Sequence, residues 1–132
     1  MTPEYKEAVA AWVAKAKSDL DTARVLIHGT EPHLDTGSYH CQQSAEKVLK
    51  AWLTSQKQEF TKTHDLIVLL NQCISVQPEF DFLLEHVRFL VPFATQFRYP
   101  GEVFEPPLEE ARQALEYATA IFLFVTQRLD NS

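Results

Sequence analysis

The side chains best suited to chemistry gather between His40 and His64 and again at Arg98-Tyr99. His40, Gln43, Lys47 and Lys50 follow one another at steps of three or four residues, so on a helix they occupy one flank. Their types suit an anion. Arg98 can grip a phosphate with two parallel hydrogen bonds, Lys47 and Lys50 supply point charges, and His40, His64 and Tyr99 can donate hydrogen bonds or stack on a base. Each also has an intramolecular alternative. Arg98 can pair with Glu46, Lys47 and Lys50 can form a solvated face, and His64 can bond to its neighbours at the start of a helix.

Charge supports a local site and excludes a general one. The net charge is −6, against electrostatic adhesion to nucleic acid, which needs many Lys and Arg to displace phosphate counterions. From His40 to His64, however, Lys47, Lys50, Lys57 and Lys62 outnumber Glu46 and Glu59, while the rest of the chain is acidic.

Other chemistries find little support. Ser38 and Ser44 lack the glycine context of a nucleophile elbow, Glu109 and Glu110 suit the positive end of a helix dipole, and no glycine loop could cradle a phosphate. Cys41 and Cys73 lie far apart, outside any Cys-x-x-Cys pair, and read as small buried hydrophobes in a reducing compartment. No metal or cofactor is expected.

The elements that must position these residues are helices. In 132 residues, 45% are hydrophobic and only three are glycine, which leaves little material for the turns of an all-β fold. The first helix begins at Thr2-Pro3 and runs to about Ile27, with Val9, Val13, Ala16, Leu20, Ala23 and Ile27 as its seam. The second is capped by Asp35 or Thr36 and reaches roughly Gln56, burying Cys41, Ala45, Val48 and Trp52. Gln42 sits on its apolar side and needs a partner, either a neighbouring helix or a ligand. A short third helix is capped by Thr63 and ends before Pro78. A fourth runs from about Glu79 towards Phe97 with a kink near Arg88 imposed by Pro92. The last follows Pro106-Pro107 along Leu108, Ala111, Leu115, Ala118, Phe122, Val125 and Leu129.

The expected architecture is therefore all-α: an up-and-down four-helix bundle with an additional short helix, one domain over residues 1–132. The fourth helix carries a second apolar stripe, Phe82, Phe89 and Phe93, which reads as an interface or as further core. His86 on that helix reads as a packed histidine. No signal peptide or membrane-length apolar run is apparent, so a cytoplasmic location is expected.

The run Tyr39-His40-Cys41-Gln42-Gln43-Ser44-Ala45-Glu46-Lys47-Val48-Leu49-Lys50-Ala51-Trp52-Leu53 resembles the signature helix of the HEPN family (higher eukaryotes and prokaryotes nucleotide-binding). Thr63-His64-Asp65-Leu66 is similar to that family's third-helix start, and Arg98-Tyr99-Pro100 to its Arg-Tyr-Pro element. The resemblance implies a compact helical bundle that forms a homodimer and often works with a minimal nucleotidyltransferase, as in toxin–antitoxin pairs. It also implies kinship with the helical substrate-binding half of some antibiotic nucleotidyltransferases.

Many relatives are metal-independent ribonucleases with an Arg-x(4–6)-His motif. After Arg98 the corresponding positions are Val103, Phe104 and Glu105, and Arg24 reaches His28 one residue too soon. Without a positioned imidazole the proton transfers of phosphodiester cleavage lose their usual agent. A nucleotide- or RNA-binding module is the resulting expectation. The alternatives are a ribonuclease toxin that pairs Arg98 with His40 or His64, and a structural adaptor using Phe82, Phe89 and Phe93.

Overall fold

A computed structural model describes residues 2–60, 62–94 and 105–130. Phe97, Arg98, Tyr99 and most of the loop expected at 98–107 lie outside the described residues. Five α-helices are present among those described: α1 (Pro3–His28), α2 (Leu34–Ser55), α3 (Leu66–Val76), α4 (Leu84–Leu90) and α5 (Leu108–Asp130). The all-α expectation holds, with α2 lying against both α1 and α5 and α3 and α4 completing the core. No helix among the described residues is long and apolar enough to cross a membrane.

α1 starts as its sequence dictates. Thr2 is the N-cap, its Oγ1 accepts from the Tyr5 amide at 3.4 Å, and Pro3 occupies the first turn, where its missing amide costs nothing. The expected seam is only partly covered. From Ala16 onward it is buried, but Val9 and Val13 are half-buried and, with Leu129, line an open groove of about 590 Å³ between the two chain ends.

Two capping expectations are corrected. α2 begins at Leu34 with His33 as its N-cap and no side-chain cap; Asp35 lies inside the first turn, where its Oδ1 accepts from the Thr36 amide at 2.8 Å. α3 is capped by Asp65, not Thr63: Asp65 Oδ1 accepts from the Ile67 amide at 2.9 Å and the Val68 amide at 3.4 Å. Thr63 acts one step earlier, its Oγ1 accepting from the Asp65 amide at 3.0 Å. A carboxylate takes the cap because it also complements the helix dipole.

The fourth helix is broken into three pieces. A 3-10 segment, Pro78–Leu83, leads into α4, and a 3-10 turn, Val91–Phe93, follows it. Phe80 and Leu83, three residues apart and both buried, fit the tighter period of the first piece. Pro92 cannot donate to the carbonyl of Arg88, so the α-helix stops at Leu90 instead of kinking and continuing.

Small residues set the distance between α1 and α2. A Cβ on Gly37 would come within 2.6 Å of Ile27 Cγ1, closer than real side chains approach. Ser44 fastens the same pair by donating its Oγ to the Ala16 carbonyl at 2.8 Å. At the other end of α2, Trp52 meets Phe80 at 4.3 Å between ring centroids, and Phe80 meets Phe124 edge-on at 5.1 Å. This core holds α2 rigidly enough for its polar flank to be a defined surface.

Cys41 and Cys73 are buried, free thiols, and burial pushes both up to about 12. His86 packs against Tyr117 at 4.6 Å and Phe82 at 5.4 Å, with a buried Nδ1 that has no hydrogen-bond partner among the described residues.

Candidate functional site

The polar flank of α2 carries two carboxylate-centred clusters. In the first, Asp19 of α1 faces His40 and Lys47 of α2. Its Oδ2 accepts from Lys47 Nζ at 2.6 Å and its Oδ1 from His40 Nδ1 at 2.8 Å. In the second, Glu46 of α2 faces Lys50 one turn on and His64 from the segment that leads into α3. Lys50 Nζ donates to Glu46 Oε2 at 3.1 Å, and His64 Nδ1 lies 3.1 Å from both carboxylate oxygens.

The segment before α3 is tied to α2 by Gln42. This fully buried amide donates its Nε2 to the His64 carbonyl at 3.2 Å and accepts from Gln43 Nε2 at 2.8 Å. Gln42 therefore finds its partner in a neighbouring segment. The bond also fixes the backbone of His64, so both ends of that residue are held.

Lys50 is enclosed as well as paired. Its ammonium lies 5.5 Å from the Trp12 ring centroid and 5.8 Å from that of Phe60, within cation–π range. Trp12 and Phe60 meet edge-on at 6.3 Å, so the two rings close over the Lys50–Glu46 pair.

These contacts sort the expected ligand-binding residues. His40, Lys47 and Lys50 are spent on the protein's own acids, and the ring of His40 is only 24% exposed. The solvated-face alternative for Lys50 is ruled out by its burial. His64 differs: its side chain is 79% exposed although its Nδ1 rests on a buried carboxylate. An ionised carboxylate can only accept, so this contact calls for a proton on Nδ1, and the other ring nitrogen makes no hydrogen bond among the described residues. Glu46 has Lys50 and His64 as its partners; the alternative pairing with Arg98 lies outside the described residues, as do Arg98 and Tyr99 themselves.

Sequence reasoning missed Asp19, Trp12 and Phe60. Asp19 left a signal, because it stands three residues after Ala16 and four before Ala23, on the buried side of α1 where an acid needs a cationic partner. Trp12 and Phe60 left none, since each flanks Lys50 only through tertiary packing. The aromatic stripe also divides: Phe82 is 64% exposed, Phe89 is half-buried, and Phe93 is buried at 5%. Among the described residues no group of three or more His, Cys, Asp or Glu could hold a metal ion.

The HEPN family model matches residues 9–129, a span that takes in the whole of α2, α3 and α4 and with them both carboxylate-centred clusters. The chain belongs to the HEPN family. It is similar to the crystal structure of ST0689, an archaeal HEPN homologue, with a TM-score of 0.70 and 27% identity, over 91% of this chain and 96% of that one. No curated protein matches it. Family membership assigns the fold; the chemistry has to come from the site.

Proposed function

We propose that residues 1–132 form a single HEPN-like domain that binds a nucleotide or the end of an RNA, acting as a homodimer beside a minimal nucleotidyltransferase in a toxin–antitoxin-like pair in the cytoplasm. The observation that carries the reading is the exposed imidazole of His64 seated on the buried Glu46 carboxylate. Such a ring is oriented and free to meet a ligand on its second nitrogen, and the half-buried Gln43 amide is linked to the same residue through Gln42 and the His64 carbonyl. Arg98 and Tyr99 join it in the proposal on the strength of their motif alone. His40, Lys47 and Lys50, each paired with an internal acid, contribute scaffolding; direct contact with the ligand would require them to exchange that acid for a phosphate.

The test is a titration of the purified chain with ATP and with a short single-stranded RNA, beside His64→Ala and Arg98→Ala. Binding that weakens in both variants supports the module. Equal binding by all three proteins, or none by any, counts against it, as does a gene neighbourhood with no nucleotidyltransferase.

A second reading, a metal-independent ribonuclease, is favoured by one specific difference. Of the two histidines that could substitute for the missing motif residue, only His64 combines a carboxylate brace with an open ring. RNA cleavage that disappears in Arg98→Ala and in His64→Ala, from matched preparations, would establish it. The adaptor reading rests on Phe82, which stacks on Phe124 at 5.8 Å while remaining exposed. It predicts self-association that weakens in Phe82→Glu or Phe89→Glu, with no nucleotide bound.

A further inference from the structure

We propose that an open cavity between α1 and α5, on the side of α1 turned away from α2, is a second ligand site that takes a sugar phosphate. The cavity has a volume of about 430 Å³ and is lined by Arg24, His28, Arg112, Leu115, Glu116 and Thr119. None of these residues belongs to the α2 site. α1 presents Asp19 to His40 and Lys47 of α2, whereas Arg24 and His28 line the cavity with α5 residues.

The case begins with two guanidinium groups from distant parts of the chain lining one space. Alone, each repels the other, and a shared anion removes that cost. Each guanidinium has several N–H donors in a fixed fork. Arg24 spends one of them, donating from Nη1 to Asp21 Oδ1 at 3.2 Å. Asp21 is itself held more closely by Lys17 at 2.8 Å, which keeps its carboxyl below the ordinary carboxylate range. Arg112 makes only a 3.7 Å approach to Glu109, whose side chain is 86% exposed, too long for a hydrogen bond. Most of the donors on both forks are therefore available to a phosphate, the anion their geometry matches best.

The remaining lining residues narrow the ligand. Glu116 is exposed and forms no ion pair within 4.0 Å among the described residues, so it leaves the two arginines free and presents an acceptor at the edge of the cavity. A sugar hydroxyl carried next to a phosphate can donate to that acceptor while the phosphate meets the arginines. Leu115 supplies an apolar wall against which a sugar carbon face can rest, and Thr119 spends its hydroxyl proton on the Leu115 carbonyl at 2.7 Å. The volume lies within the range of small-ligand sites, roughly 300–1,000 Å³.

The experiment titrates the full chain with ribose 5-phosphate and, separately, with a 5′-phosphorylated oligonucleotide, beside Arg24→Ala, Arg112→Ala, the double variant and Lys15→Ala. Each arginine variant is expected to lose on the order of tenfold in affinity, the double variant to lose binding, and Lys15→Ala, which removes an exposed charge elsewhere on α1, to bind as wild type does. Binding of ribose 5-phosphate identifies a free sugar phosphate as the ligand; binding of the oligonucleotide alone, abolished in the double variant, identifies a strand terminus. Both arginines are about half exposed, so the variants should fold, and Arg24→Lys and Arg112→Lys give an independent measure because they keep the charge and lose the fork. Absence of binding to either probe, or binding undiminished in the double variant, overturns the proposal. Loss shared equally by Lys15→Ala means that only net charge is being read and overturns it too, without touching the reading of the α2 site.

Discussion

Removing the Glu46 carboxylate should destabilise the fold far more than removing the whole ion pair it belongs to. Glu46 is 2% exposed and Lys50 7%, and the space around the ammonium is filled by Trp12 and Phe60. Glu46→Ala leaves that ammonium with two ring faces and no counter-charge, a situation that costs about 3–5 kcal/mol. His64 adds little to this figure, because its ring is mostly in water and regains solvent hydrogen bonds. With an unfolding entropy of about 2.1 cal/mol/K per residue, a chain of 132 residues loses about 11–18 °C in Tm. Glu46→Leu combined with Lys50→Met removes both charges and keeps the volume, so most of the loss should be recovered, to within about 1–2 kcal/mol of wild type. Calorimetry and urea unfolding of wild type, Glu46→Ala, the singles Glu46→Leu and Lys50→Met, and the double variant measure both effects. A Glu46→Ala cost below about 1 kcal/mol, or a double variant whose loss equals the sum of the two singles, would refute the claim that the pair is sealed from solvent.

Two further outcomes follow from groups elsewhere in the bundle. Glu79 is held below its ordinary 4.5 chiefly by the hydrogen bond from Arg128, which approaches it at 3.0 and 3.2 Å, so the stability it contributes is present above 4.5 and is lost as the pH falls through its lowered value. Urea unfolding of Glu79→Gln against wild type should show a gap at pH 7 that closes below about pH 4.5; a gap unchanged at pH 3 would contradict this. Cys41 and Cys73, with thiols pushed up to about 12 and no surface access, should be silent to a disulfide reagent at pH 8 in the native protein and react together on unfolding. Prompt reaction of either would mean that the core opens locally.

The bundle was legible because its signals are periodic. The seam from Ala16 to Ile27 and the α2 stripe through Trp52 are buried where their spacing placed them, as are Ala111, Leu115, Ala118 and Val125 of the last helix, whereas Phe122 is half-buried and Leu108 exposed. Boundaries that depend on one hydrogen bond were less so. Thr63 and Asp65 are both good caps, and only the backbone geometry shows that the carboxylate reaches the helix amides. The fourth segment failed for a different reason: its apolar residues satisfy a helical and a 3-10 period equally, and Pro78 and Pro92 decide where the α-helix can exist. The stripe of Phe82, Phe89 and Phe93 then splits, because a change of period rotates Phe93 into the core and leaves Phe82 outside.

The site was legible as a set of residues but not as a set of roles, and the distinction has a physical source. Types and spacing show that His40, Lys47 and Lys50 share a flank and put His64 at the start of the next helix; they do not show which of them is already neutralised. Asp19, on another helix, takes two of them, and Glu46 takes the other two. In a chain of net charge −6 this internal pairing is the cheaper use of a cation, because a phosphate must approach against the field of the remaining acids. A ligand arriving at this flank therefore meets little bare positive charge. What it meets is a rigid, hydrogen-bonded wall with one open imidazole on it, and that geometry suits recognition of a single oriented group better than adhesion along a strand. Affinity that depends weakly on salt and strongly on His64 is the signature such a site should leave.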